Sequence, residues 1–280
     1  MLLAMVAFAL ADTLVKVASE FLTPPQVMFY LMAGGLILFA LLAISEKEPF
    51  LNKNAYAPVV IIRYIAELVG MVGMIMALSK VPLSTVGAIT QAAPILVAVG
   101  AALLLGEKVS WRRWTSIAVG FLGVVLIVKP GVDGFDASVL WAVLSMSGLA
   151  IRDLTTRIIP DDIGSASLAT YTMMVSVPFA VCWTYFSGDI LFPSNLNWFV
   201  LVPMTCLGSI GYVLLIKSIR MAEVSVVTPF RYSRILFLIV LGVIVFGERP
   251  DVFTLTGAAL VITSGLYIMW RERQVAQANN

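Results

Sequence analysis

Thr228-Pro229-Phe230-Arg231-Tyr232-Ser233-Arg234 opens a run that is otherwise apolar from Val224 to Gly247. The run is long enough to cross a bilayer, yet it holds two arginines three residues apart on one helical face. A charge at that depth costs at least ~2.5–3.5 kcal/mol on insertion scales, so it faces a protein interior or a wet cavity unless it reaches the headgroups. Arg231 lies near enough to the start of the run for the headgroup reading to stay open. The other reading makes this helix one wall of a polar cavity inside a membrane bundle.

The rest of the chain agrees with a bundle. Its 280 residues are 60% hydrophobic and 12% charged, without histidine, whereas a soluble domain carries about 25% charged residues. Long uncharged stretches recur from end to end. The composition predicts an all-α membrane protein of ten transmembrane helices, with no separate soluble domain. The spans fall at about 2–19, 25–44, 56–78, 83–105, 111–128, 137–159, 163–187, 195–217, 223–246 and 251–270. Lys129-Pro130-Gly131 and Pro160-Asp161-Asp162 are the turn signals on either side of the sixth. The first stretch starts at Met1 without a basic leader and carries Asp12 and Lys16, so it reads as a spanning helix rather than a cleaved signal. Cys182 and Cys206 lie in apolar spans and form no metal motif. The net charge of +2 belongs to membrane topology and implies no nucleic-acid partner.

Lysine and arginine orient the spans. With Met1 on the cytoplasmic side, that side holds Lys47, Lys53, Lys108, Arg112, Arg113, Lys217, Arg220, Arg271 and Arg273. The other side holds Lys80, Lys129 and Arg249. The expected placement is multi-pass in the cell inner membrane, with both termini cytoplasmic.

A shift of 141 residues lays one half of the chain on the other without a gap. Asp12 falls on Asp153, Lys16 on Arg157, Tyr30 on Tyr171, Ser84 on Ser225 and Gly106-Glu107-Lys108 on Gly247-Glu248-Arg249. Each half holds five spans, and five is odd, so the second half enters the membrane from the opposite side. The expected units are 1–136, an inverted partner at 137–272, and a cytoplasmic tail at 273–280. Secondary transporters use inverted halves to open one central site to each side in turn. A duplicated scaffold without transport is the plain alternative.

The fourth and fifth spans with Gly106-Glu107-Lys108, and the ninth and tenth with Gly247-Glu248-Arg249-Pro250, resemble an EamA-type repeat of the drug/metabolite transporter superfamily. Pro229-Phe230-Arg231-Tyr232 and the Asp153 region resemble the branch with S-adenosylmethionine and riboflavin carriers. The resemblance covers nearly the whole chain. It implies ten helices with cytoplasmic termini around a cavity bounded mainly by helices 1, 3, 4, 6, 8 and 9. Glu67, inside the third span, has no match in that branch.

Three i,i+4 pairs of opposite charge lie inside spans: Asp12 with Lys16, Arg63 with Glu67, and Asp153 with Arg157. That spacing places both members on one face, and pairing lowers the cost of burial. Each pair is read either as a structural lock or as part of the site. The first and third are related by the repeat, which makes Asp12, Lys16, Asp153 and Arg157 candidates for gating or coupling. Within the spans Lys16, Arg63, Arg152, Arg157, Arg231 and Arg234 outnumber Asp12, Glu67 and Asp153. That excess favours a substrate with an anionic group, and the arginine fork suits carboxylate or phosphate. The substrate-binding candidates are Arg63, Tyr64, Glu67, Gln91, Tyr212, Arg231, Tyr232 and Arg234. Pro94, Pro178 and Pro203 mark bends near the middles of the fourth, seventh and eighth spans.

These features predict a secondary transporter of a small organic metabolite, zwitterionic or anionic, with a planar or apolar part. The partners are that small molecule and the lipid bilayer, and the chain acts as a monomer or homodimer. No cofactor, metal or catalytic group is expected, and no phosphate-cradling loop points to ATP. Export of amino acids or drugs is an alternative direction. A membrane enzyme on lipid-linked substrates, using Asp12, Glu67 and Asp153 as acid and base, and a non-transporting receptor are the rival classes.

Overall fold

The computed structural model describes residues 1–47, 53–104, 106, 110–129, 136–159, 163–190, 192, 196–221 and 228–278. Glu107-Lys108, Pro130-Gly131, Pro160-Asp161-Asp162 and Ser225 lie outside the described residues. All regular structure among the described residues is helical: α1 (Leu2–Ala18), α2 (Pro24–Ser45), α3 (Pro58–Lys80), α4 (Leu83–Thr90), α5 (Ala93–Leu104), α6 (Trp111–Val128), α7 (Val139–Thr156), α8 (Ser165–Phe186), α9 (Trp198–Met221), α10 (Ser233–Phe246) and α11 (Val252–Ala278). Since α4 and α5 form one interrupted rod, these make ten rods.

The starts of the rods follow local chemistry. Pro24 and Pro25 open α2 where N–H groups need no intrahelical partner. The Gln26 side chain accepts the Thr23 N–H at 2.9 Å there. Pro58 opens α3 in the same way. Asp251 precedes α11 and accepts the Thr254 N–H at 2.8 Å. Lys129, which closes α6 with φ of 50°, pairs with the same Asp251. That hydrogen bond holds the Asp251 carboxyl down at about 2 and ties the end of α6 to the start of α11.

Six rods are long and apolar enough to cross a membrane: Pro24–Ser45, Pro58–Lys80, Leu83–Leu104, Ser165–Phe186, Trp198–Leu215 and Val252–Arg271. The remainder, α1, α6, α7 and α10, are shorter or carry charges. The outward faces are apolar. On α3, Ile61, Ile62 and Ile65 are exposed while Arg63 and Glu67 are buried. Such a helix presents isoleucine outward and charge inward, the reverse of a water-soluble one, and fits a lipid surround. The protein is an all-helical, multi-pass membrane protein.

Two spans differ from the continuous helices expected of them. The fourth breaks between Thr90 and Ala93. Pro94 has no N–H to give the Thr90 carbonyl, and Ala92 and Ile95 make shorter-range bonds to Ile89 and Ala92 at 3.0 and 2.9 Å. The ninth begins as a 3-10 turn over Thr228–Tyr232 and turns α-helical only at Ser233. The missing Pro229 N–H and its fixed φ favour that tighter start.

Rods pack in pairs: α3 with α7, α1 with α9, α2 with α8, α6 with α11, and α4 with α10. In the α3–α7 seam the two backbones come into direct contact. A Cβ on Gly148 would lie 2.6 Å from the Gly70 backbone nitrogen, and one on Gly73 would lie 2.7 Å from that of Ser145. Small residues here let the two backbones touch, one turn from the charged side chains of the bundle centre.

Candidate functional site

A cavity of about 220 Å³ lies inside the bundle, walled by α1, α2, α3, α7, α8, α9, α10 and the α4–α5 break. Its lining runs from Val15, Glu67 and Thr90 to Met5 and Leu215, toward the end where α1 starts and α9 finishes. Those two ends are joined, because the Met1 ammonium donates to Ser218 Oγ at 2.6 Å.

Two ion-pair groups face the cavity. In the first, Arg234 on α10 donates through Nε and Nη2 to one oxygen of Asp12 on α1, at 3.1 and 2.5 Å. The Arg234 guanidinium also lies 5.2 Å from the Phe8 ring centre, a cation–π contact. In the second, Arg152 on α7 donates to Asp153 Oδ1 at 2.9 and 2.7 Å and to Glu67 Oε1 at 3.4 Å. Arg231 stands beside it, with Nη2 3.7 Å from Asp153 Oδ2, beyond hydrogen-bond reach.

The i,i+4 pairing holds for one pair of three. Arg63 Nη1 lies 3.1 Å from Glu67 Oε2. Asp12 instead takes Arg234, and Lys16 turns away to the Val81 carbonyl at 2.6 Å and to Glu248 at 3.8 Å. Asp153 takes Arg152 and Arg231, while Arg157 lies exposed just past α7. A cation across the helices for Asp12, and the adjacent Arg152 for Asp153, offered shorter approaches than a neighbour one turn along, and a buried carboxylate takes the closest cation geometry allows.

The expected positive excess is also absent at the cavity. Asp12, Glu67 and Asp153 face it together with Arg152, Arg231 and Arg234, three of each sign. Arg63 sits behind the wall, where Thr156 and Thr172 hydroxyls accept from it at 3.0 and 2.9 Å. Lys16 and Arg157 are outside the lining.

The other sequence candidates divide likewise. Gln91, in the α4–α5 break, lines the cavity and donates to the Arg231 carbonyl at 2.6 Å. That bond joins the two interrupted rods at their breaks. Tyr212 lines the cavity with its ring 5.0 Å from Phe39 and steeply inclined to it. Tyr64 is buried with Val60, Ile163 and Leu168 outside the lining. Tyr232 is buried against Gly265, where a Cβ would strike its hydroxyl. Sequence reasoning counted Arg152 but did not choose it, because it lies beside Asp153 rather than one turn away. Met5, Met32, Met71, Met74 and Met173 also line the cavity, a polarisable, deformable surface suited to planar apolar groups.

Among the cavity arginines, Arg231 is the least committed. It has the most exposed side chain of the three, at 31%, and among the described residues its only carboxylate contact is the long one to Asp153. A carboxylate of a small molecule fits that guanidinium, while Asp153, Glu67 and Asp12 supply the opposite sign for a cationic group. The arrangement holds charges of both signs in a lining that also holds methionines and presents no cluster of metal ligands among the described residues.

Comparison with known proteins agrees with this description. The model of the EamA-like transporter family matches residues 1–129 and 136–270. An S-adenosylmethionine uptake transporter of Rickettsia conorii is 26% identical over 278 residues, covering 98% of this chain and 92% of the relative. A pseudopaline exporter, CntI, of Pseudomonas aeruginosa is 26% identical over 271 residues, covering 94% and 92%. A riboflavin transporter of Rhizobium johnstonii is 24% identical over 273 residues, covering 96% and 90%. A solved crystal structure superposes with a TM-score of 0.62 at 16% identity, over 98% of this chain and 97% of that one. It bears on the fold alone.

Proposed function

The chain belongs to the EamA-like transporter family, and from that premise we propose that it carries a small zwitterionic metabolite with a planar or apolar part across the inner membrane. The family and the names of its relatives indicate a transporter of small molecules and not an enzyme. The observation that carries the finer reading is the cavity itself: six charges that cancel, in a lining that also holds five methionines. A purely anionic ligand would leave such a site unbalanced, whereas a zwitterion matches it.

The halves 1–136 and 137–272 act as inverted five-rod repeats, with 273–280 as a tail and both termini on the cytoplasmic side. The packing supports this reading. Under the 141-residue shift, the α1–α9 contact exchanges with the α3–α7 contact, and the α2–α8 and α6–α11 contacts map onto themselves. The two separate family matches support it as well. Alternating access then moves the bundle about the shared cavity.

In this scheme Arg231 takes the substrate carboxylate, with Gln91 holding its backbone. Arg234 and Asp12 respond to the ligand, because a second anionic group competes with Asp12 for the guanidinium. Asp153 sets the position of Arg231 and Arg152. Import is favoured by the uptake transporter among the relatives. Export is the second reading, and the exporter of similar coverage favours it.

The test is uptake into proteoliposomes, preceded by a thermal-shift screen of amino acids, flavins, nucleosides and organic acids. A ligand that binds the folded state raises the unfolding temperature by mass action. Arg231→Ala removes charge-assisted bonds worth roughly 1.5–3 kcal/mol, so the stabilising hit and its uptake should be lost while the protein stays folded and inserted. Normal uptake by Arg231→Ala would remove that arginine from the site.

A further inference from the structure

Glu248 does not touch the cavity, yet its carboxylate joins the end of α10 to α4 and α1, and through Lys16 to the end of α3. Gly247 closes α10 with φ of 63°, a conformation that side chains rarely adopt. Its N–H bonds the Val243 carbonyl at 3.1 Å, and the Glu248 N–H bonds the Gly242 carbonyl at 3.0 Å. The chain therefore doubles back, and the Glu248 side chain lies over Gly242, where a Cβ would come within 2.5 Å of Oε2.

From there the carboxylate reaches the start of α4. Oε1 accepts the Leu83 N–H at 2.5 Å, and Oε2 accepts the Ser84 N–H at 3.1 Å and the Ser84 hydroxyl at 2.8 Å. Lys16, at the end of α1, lies 3.8 Å from Oε1 and donates to the Val81 and Leu78 carbonyls at the end of α3, at 2.6 and 3.4 Å. The Glu248 side chain is only 9% exposed.

A helix start is normally capped by its own preceding residue. Here that residue is Pro82, which has no side-chain oxygen. The first amides of α4 are served instead by a carboxylate some 165 residues away in sequence. Every one of these bonds joins groups that water can replace. The neighbouring α3–α7 seam, by contrast, is backbone against backbone and leaves no room for water. Parting at this end of the bundle is therefore cheaper between α4 and α10, across Glu248, than between α3 and α7.

The position fits that role. Lys16 is one turn beyond Asp12, so α1 meets the α10 rod at two levels, Asp12–Arg234 in the cavity and Lys16–Glu248 above it. On the far side, Ser84 and Glu248 help to line a second pocket of about 330 Å³, with Lys129, Asp136 and Arg249 around it. The cavity and this outer pocket lie on opposite sides of the carboxylate.

We propose that Glu248 is the latch that closes the cavity at the end remote from Met1, and that its release from Leu83, Ser84 and Lys16 is the step that opens that end. The proposal rests on the alternating-access reading above, and its test separates the two. A single reporter cysteine, Met74→Cys in the cavity wall, is placed in the full chain with Cys182 and Cys206 replaced by serine. Its modification by a membrane-impermeant thiol reagent is followed in right-side-out and inside-out vesicles. Glu248→Gln loses the charge-assisted bonds, so labelling from the face opposite Met1 should rise about tenfold, with a matching fall from the other face. Ser84→Ala loses one hydroxyl bond and should give a smaller rise, about threefold; it carries the test if Glu248→Gln does not fold.

A mere helix cap would lower the unfolding temperature without moving the ratio of labelling between faces, and that outcome overturns the latch. So does an unchanged rate in folded variants whose wild-type reporter is reached from both faces, a result that leaves alternating access standing. A reporter reached from one face alone in every variant overturns alternating access and the latch together.

Discussion

Asp12 and Arg234 show how a single residue's partner decides its role. Held by Arg234 through two donors, the Asp12 carboxylate neutralises that guanidinium. Asp12→Asn leaves a buried arginine uncompensated, which is costly in the empty protein. The variant should unfold at a lower temperature and bind a carboxylate-bearing ligand roughly tenfold more tightly, since one charge-assisted competitor is gone. Calorimetric titration with the ligand and its uncharged amide checks this. Equal affinities in wild type and variant for both compounds would show that Arg234 does not meet the ligand. The sequence located the three carboxylates inside spans but paired two of them wrongly. Spacing along one helix reveals which side chains share a face; it carries nothing about which neighbouring helix lies closer. The Glu67–Arg63 pair was legible because both members stay on α3, and the Arg152–Glu67 contact was not, because it crosses to α7.

At the scale of elements, rod existence was readable almost throughout, and rod continuity was not. Pro94 announced a disturbance in the fourth span, and the break two residues before it follows from the missing donor. In the ninth span Thr228-Pro229 looked like the interior of a helix, but the regular turns begin only at Ser233. The two interruptions meet through Gln91 and Arg231, so unsatisfied backbone lies where it borders a cavity, as broken membrane helices require. Glycine positions were visible as small-residue faces, and their closeness was not. Gly148 is pressed on the Gly70 nitrogen, whose backbone cannot give way. Gly148→Ala should therefore force α3 and α7 apart and cost about 1–3 kcal/mol, within the range for overpacking. Gly208→Ala, where the new Cβ would meet only Ala11 Cβ at 3.9 Å, should be tolerated. Thermal unfolding of the two variants in detergent compares them directly, and equal losses would remove the α3–α7 seam as the special contact.

For the whole molecule, the membrane class was legible because composition is a property of the chain alone. The shape of the cavity was not, because it depends on which of six span cations turn inward: three do, and Arg63, Lys16 and Arg157 do not. That balance has an electrical meaning. A carrier whose binding chamber presents as many negative as positive charges returns empty without dragging net charge through the field, and voltage then acts on the loaded stroke in proportion to the cargo's own charge. One elementary charge moved across 100 mV is worth about 2.3 kcal/mol. Accumulation of a net-neutral zwitterion in vesicles clamped with potassium and an ionophore should be flat with imposed potential, whereas a singly charged analogue should respond steeply. A voltage-dependent zwitterion flux would mean that another ion rides with it. On the proposed alternating-access reading, the three-to-three count of Asp12, Glu67 and Asp153 against Arg152, Arg231 and Arg234 leaves the empty chamber no net charge for the membrane potential to act on.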